Sequence, residues 1–105
     1  MEFKKEANVL GTTYAIVLED IADADGECDF TNKTIRIRKE NVNNVGSLEY
    51  LQKKSLRHEL IHAFMFESGL AENWEHFRFG HEELTVDWFA ILYPKIRACF
   101  DDLSL

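Results

Sequence analysis

Between Leu48 and Ser68 the chain has no Gly or Pro, and Leu48, Leu51, Leu56, Leu60, Ile61 and Phe64 recur at helical spacing. Ser47 is placed to cap that helix, and Glu49 lies in its first turn near the positive end of the dipole. Gly69 supplies a stop. A second helix is expected from about His81 to Tyr93, with Leu84, Trp88, Ala90, Ile91 and Leu92 available to a core. Pro94 should end or kink it, because the ring removes a donor and crowds the preceding turn. The tail from Lys95 to Leu105 reads as a short further helix.

Ahead of Ser47 the pattern is that of strands. Thr12 to Glu19, "TTYAIVLE", is β-branched and aromatic and suits a strand. "DIADADGECD" reads as a turn-bearing loop. It opens like a calcium loop, yet Gly26 follows Asp25 at once, and Thr34 stands where that loop needs its closing Glu. Glu27 to Phe30 and Thr34 to Arg38 read as two short strands joined through Thr31, Asn32 and Lys33. Ile35 and Ile37 point one way and Arg36 and Arg38 the other, the alternation of a half-buried strand at a sheet edge. The expected fold class is α+β, one domain over 1–105. A small antiparallel sheet would pack on two helices.

Composition narrows the choice of partners. With 105 residues, 46 % of them apolar, and eight Phe, the chain can fill one modest core. A net charge of −7 argues against a nucleic-acid backbone as partner. The longest apolar stretch, Val86 to Tyr93, is interrupted by Asp87 and too short to span a bilayer. "MEFKKEANVLG" lacks the apolar region of a signal peptide. Cys28 and Cys99 lie far apart without metal-ligand spacing and read as free thiols in a reducing compartment. A soluble cytoplasmic protein is expected.

The chemistry concentrates in "LRHELIHAF", which holds His58, Glu59 and His62. Residues four apart on a helix lie one above the other, so His58 and His62 present two imidazoles to one point. That is a two-pronged ligand set for tetrahedral zinc. Glu59, displaced around the axis, can reach a water on the metal without being a ligand itself. A catalytic zinc site needs a third protein ligand and keeps a fourth position for water. Glu83, on the second expected helix, can supply that ligand. Asp87, one turn on, can accept a hydrogen bond from the outward nitrogen of a ligating imidazole such as His58. His81 competes for the third position, but only Glu83 is followed by a carboxylate one turn later. His76, His81, Tyr50 and Tyr93 are positional candidates for stabilising an oxyanion. Trp74, Phe77, Phe79 and Trp88 read as core aromatics, and Glu67, Glu72, Glu75 and Glu82 as solvated.

"HELIH" followed at this distance by Glu83-x-x-x-Asp87 resembles the gluzincin pattern of thermolysin-type zinc peptidases. "EELTVDWFAILYP" is similar to the glutamate-bearing helix of the ImmA/IrrE-like metallopeptidases at Glu83, Val86, Asp87, Phe89, Ala90, Leu92 and Pro94. The whole chain also looks like small phage and prophage proteins of Gram-positive bacteria. The likeness is specific over Leu56 to Pro94 and loose before it. It implies a minimal zincin-like domain, zinc on His58, His62 and Glu83, Glu59 as base, and hydrolysis of peptide bonds in a peptide or protein substrate. The chain departs from its larger relatives in having no recognisable regulatory domain, and in carrying Asp87 where they often have Asn. An extended substrate is expected to lie antiparallel along Thr34 to Arg38, with Arg36 or Arg38 favouring acidic side chains. The alternative is a non-catalytic zinc-binding or protein-interaction module on the same fold.

Overall fold

A computed structural model describes residues 4–40, 46–70 and 83–105, with the side chains of Glu83, Leu84, Val86 and Asp87 outside what is described. The elements run β1 (Glu6–Val9), β2 (Thr12–Glu19), β3 (Gly26–Asp29), β4 (Thr34–Arg38), α1 (Leu48–Glu67) and α2 (Glu83–Asp102). The fold is α+β. One four-stranded sheet, in the order β1-β2-β4-β3, carries the helices.

That sheet is mixed rather than antiparallel. β1 pairs antiparallel with β2, and β3 with β4, but β2 and β4 run parallel, with Ile16 opposite Ile35 and Leu18 opposite Ile37. The chain leaves β2, builds β3 beyond a gap, and returns through the tight turn to lay β4 into that gap. β4 is therefore interior, against the expectation of an edge. Pairing two alternating strands on both sides of the Ile35–Ile37 row seals those side chains completely, at 0 % exposure. Among the described residues the edges are β1 and β3.

β1 is not apparent in the sequence, because only Ala7 and Val9 mark it and Lys4, Lys5 and Glu6 precede them. A two-residue turn creates it. Leu10 and Gly11 both have positive φ, 53° and 89°, the geometry whose twist suits a tight hairpin. The Asn8 side chain accepts a hydrogen bond from the Gly11 amide at 2.7 Å. The β3–β4 turn is held by Asp29, whose carboxylate accepts from the Thr31 and Asn32 amides and from both of their side chains. Hydrogen bonds from Asn32 and Thr31 keep that carboxyl well below the usual range.

The core lies between one face of the sheet and the helices. Val9, Tyr14, Ile16, Ile35 and Ile37 meet Leu56, Leu60, Ala63 and Phe64 of α1. Ser47 caps α1 as expected, its hydroxyl accepting from the Tyr50 amide. Ser68 and then Gly69, at φ 83°, end it. Ile61, expected in the core, is exposed. α2 runs on through Pro94, so of the predicted stop or kink the stop does not occur. Pro94 and Ala90 are both exposed, so the carbonyl that loses its partner can turn to water. Beyond the proline, Ile96, Cys99 and Leu103 are buried in the core and hold the helix on. Trp88 and Leu92 pack against that core, whereas Ala90 and Ile91, also expected there, are exposed. Cys28 and Cys99 are free thiols, pushed up to about 12 and about 11 chiefly by burial. No helix among the described residues is long and apolar enough to cross a membrane.

Candidate metal centre

Helix α1 is anchored to the sheet at both ends, and this places its middle turns. Near its start the buried Gln52 side chain donates to the Arg38 carbonyl at the end of β4, at 3.1 Å. Near its end Glu67 accepts from Thr12, Tyr14 and Lys33 at 3.0, 2.7 and 2.8 Å. Glu67 was expected to be solvated. It instead ties α1 to β2 and to the β3–β4 turn. Burial pushes its carboxyl up, but the Lys33, Tyr14 and Thr12 bonds outweigh this and hold it below its ordinary value.

Between these anchors stand His58, Glu59 and His62. The two imidazoles are exposed and Glu59 is buried, at 9 % exposure. Their Nε2 atoms are 3.2 Å apart, with the rings inclined at 66°. Two nitrogens bound to one tetrahedral zinc at about 2.0–2.1 Å stand about 3.3 Å apart, so the pair already has the bite of a chelate. Without metal the same spacing suits an N–H···N hydrogen bond from one neutral ring to the other. One ligand atom from each of the three residues lies within 4.8 Å of the others, and the group could hold a metal ion.

Glu59 is pressed against the sheet. A Cβ at Gly26 on β3 would lie 3.2 Å from the Glu59 Cγ, and 3.1 Å from both the Arg36 carbonyl oxygen and the Ile37 Cδ1. Only a glycine lets the edge strand come this close beneath the glutamate. Burial raises the Glu59 carboxyl above its ordinary value, while the charges of His58 and His62 pull it back in part. Among the described residues no donor is hydrogen-bonded to that carboxylate, so its acceptor capacity is unspent. Beside it a cavity of about 330 Å³ opens between Gly26 and the Leu51, Lys54, Ser55 and His58 side of α1.

The other expected site residues are placed as follows. Glu83 is the first residue of α2 and Asp87 lies one turn along it, but both side chains are outside those described. His76 and His81 also lie outside the described residues, as do Trp74, Phe77 and Phe79. Tyr50 and Tyr93 are exposed, Tyr93 against the Phe89 ring at 5.6 Å, and neither hydrogen-bonds to His58, Glu59 or His62. Arg36 and Arg38 are engaged by groups of the protein itself. Arg36 pairs with Glu19, Glu27 and Asp29, and Arg38 with Asp25 and the Ile21 and Ala22 carbonyls. Gly26 and Lys54 line the site without any motif to mark them. Gly26 read as an ordinary turn glycine.

Comparison of the chain with protein-family models, curated proteins and solved structures finds no match.

Proposed function

We propose that this protein is a zinc-dependent peptidase of the gluzincin type, built on a minimal zincin-like domain. The observation that carries the reading is the 3.2 Å Nε2–Nε2 separation of His58 and His62, with the buried Glu59 beside it. His58 and His62 would hold the metal. Glu83 is the proposed third ligand, with His81 as its competitor. Asp87 is the proposed acceptor for the outward nitrogen of His58.

When bound, zinc lowers the pKa of a coordinated water toward neutrality and polarises a carbonyl oxygen. Glu59 supplies the proton chemistry. Its carboxylate takes the proton released as water adds to the peptide carbonyl, then delivers it to the leaving amine nitrogen. One water is consumed, and a new carboxylate and a new amine are the products. The low polarity around Glu59 favours this exchange, since a carboxylate raised above its ordinary value holds a proton more readily.

β3 takes over the substrate role first expected of β4. It is bonded to β4 on one side and, among the described residues, is the last strand of the sheet on the other. Its Gly26 lies directly under Glu59. An extended peptide added along that edge would gain main-chain hydrogen bonds and lie beside His58 and Glu59, which share a cavity with Gly26.

The test starts with metal. Protein prepared in metal-free medium and supplied with zinc should bind it stoichiometrically, and a His58→Ala/His62→Ala variant should not. Equal zinc in both would refute the site. Zinc in excess of a thousandfold over its dissociation constant should stabilise the fold by about 4 kcal/mol, read as a melting temperature that chelator lowers. Cleavage of an unfolded protein, blocked by chelator, separates the peptidase from a non-catalytic zinc-binding module.

A further inference from the structure

The cavity beside Glu59 has its own chemistry. Its wall on α1 is formed by Leu51, Lys54, Ser55 and His58, the residues that recur on one face at three- and four-residue spacing. Lys54 is exposed and forms no ion pair among the described residues, whereas its neighbour Lys53 is 3.5 Å from Glu49. The Ser55 hydroxyl likewise has no hydrogen-bond partner among them. Across the cavity Asp25 is held by Arg38 at 3.1 Å, and Arg38 is itself fixed by the Ile21 and Ala22 carbonyls. The groups left unspent are thus the Lys54 ammonium and the Ser55 hydroxyl, both able to donate, and beside His58 the Glu59 carboxylate, which only accepts. At about 330 Å³ the space admits one or two side chains and no folded partner.

We infer that this cavity is a subsite for a carboxylate, which meets Lys54 Nζ and Ser55 Oγ while the neighbouring peptide bond faces His58, Glu59 and His62. The inference rests on the peptidase reading and gives it a substrate class: peptides with an acidic side chain, or a C-terminal carboxylate, next to the scissile bond. Arg36 and Arg38, the cations first expected to make that choice, are committed to the protein's own acids. Lys54 replaces them.

The experiment is a titration of ¹⁵N-labelled, zinc-supplied Glu59→Gln protein, following the Gly26 and Ser55 amides. Four short peptides serve as probes. One is capped and carries a single Asp, one is all-Ala with a free C-terminus, one is all-Ala and capped, and one is capped and carries a single Lys. An exposed ion pair is worth up to about fivefold in affinity, and that is the expected advantage of the acid-bearing peptides over the capped all-Ala peptide. Preference for the capped Asp peptide assigns the subsite to a side chain; preference for the free acid alone assigns it to a chain terminus. Lys54→Gln should erase the advantage, and Lys54→Glu should transfer it to the Lys peptide, a reversal that misfolding cannot produce. Equal affinity for all four peptides overturns the inference, and so does a preference for acid that survives both substitutions. Acid preference without cleavage by the wild-type protein leaves the subsite standing and removes the peptidase. Cleavage without acid preference does the opposite.

Discussion

Helix α1 turns two glutamates toward the sheet, and the fold holds them in opposite ways. Glu67 has three donors within 3.0 Å and a carboxyl held below its ordinary value. Glu59, about two turns earlier, is buried against Gly26, has no hydrogen-bond donor among the described residues, and has its carboxyl raised. A carboxylate that serves the fold is surrounded by donors that spend its charge. In the proposed mechanism Glu59 keeps its lone pairs for a proton in transit. The two residue types are identical, and the neighbours alone divide the roles.

The comparison breaks most sharply at Glu59. Glu59→Gln should keep stoichiometric zinc and lose hydrolysis by about a hundred- to ten-thousandfold, the usual contribution of a positioned base. Its metal-free melting temperature should hold or rise, because burying an ionised carboxyl with no donor among the described residues opposes folding at neutral pH. Full activity in that variant would remove Glu59 from the mechanism.

Glu67→Gln should do the reverse. Zinc uptake should persist while urea unfolding shows a loss of about 1.5–3 kcal/mol, from charge-assisted hydrogen bonds weakened and a lysine left unpaired. An unchanged midpoint would mean that the anchor is ornamental. The same carboxyl predicts a pH dependence. Its folded value lies below its unfolded one, so its stabilisation is complete above the ordinary glutamate range and is lost as pH falls through the folded value. Asp29, also depressed, adds to the same acid slope. Stability measured between neutral pH and strong acid should therefore fall less steeply in Glu67→Gln than in the wild type.

The smallest effect joins the two residues. Gly26→Ala places a methyl about 3.1 Å from the Arg36 carbonyl and Ile37, and 3.2 Å from Glu59. The Arg36 carbonyl and Glu59 can yield only by a shift of the edge strand or of the Glu59 side chain. A loss of about 1 kcal/mol in stability is expected. Hydrolysis should drop with it, and more than stability alone explains. A variant that loses stability and keeps full turnover would show that Glu59 tolerates displacement.

Much of this arrangement was readable in one dimension, wherever the determining physics is local. The alternation in "TTYAIVLE" places β2 on Thr12–Glu19, and Ser47 marks the start of α1. The meeting of His58 and His62 follows from four-residue spacing on any regular helix. Asp29 with Thr31 and Asn32 sets a turn within a few residues. Non-local pairing leaves no such mark. Whether β4 lies inside the sheet or at its edge depends on where β2 and β3 settle beside it, and alternating residues look alike in both cases. Pro94 signals a helix end locally, yet burial of Ile96, Cys99 and Leu103 outweighs the missing bond. Glu67 and Glu59 are the same letter on the same helix. Only residues brought from 34, 53 and 55 positions away, Lys33, Tyr14 and Thr12, make one of them an anchor. Only the edge strand passing beneath it makes the other a buried carboxyl with a raised value, because desolvation depends on what the chain folds against.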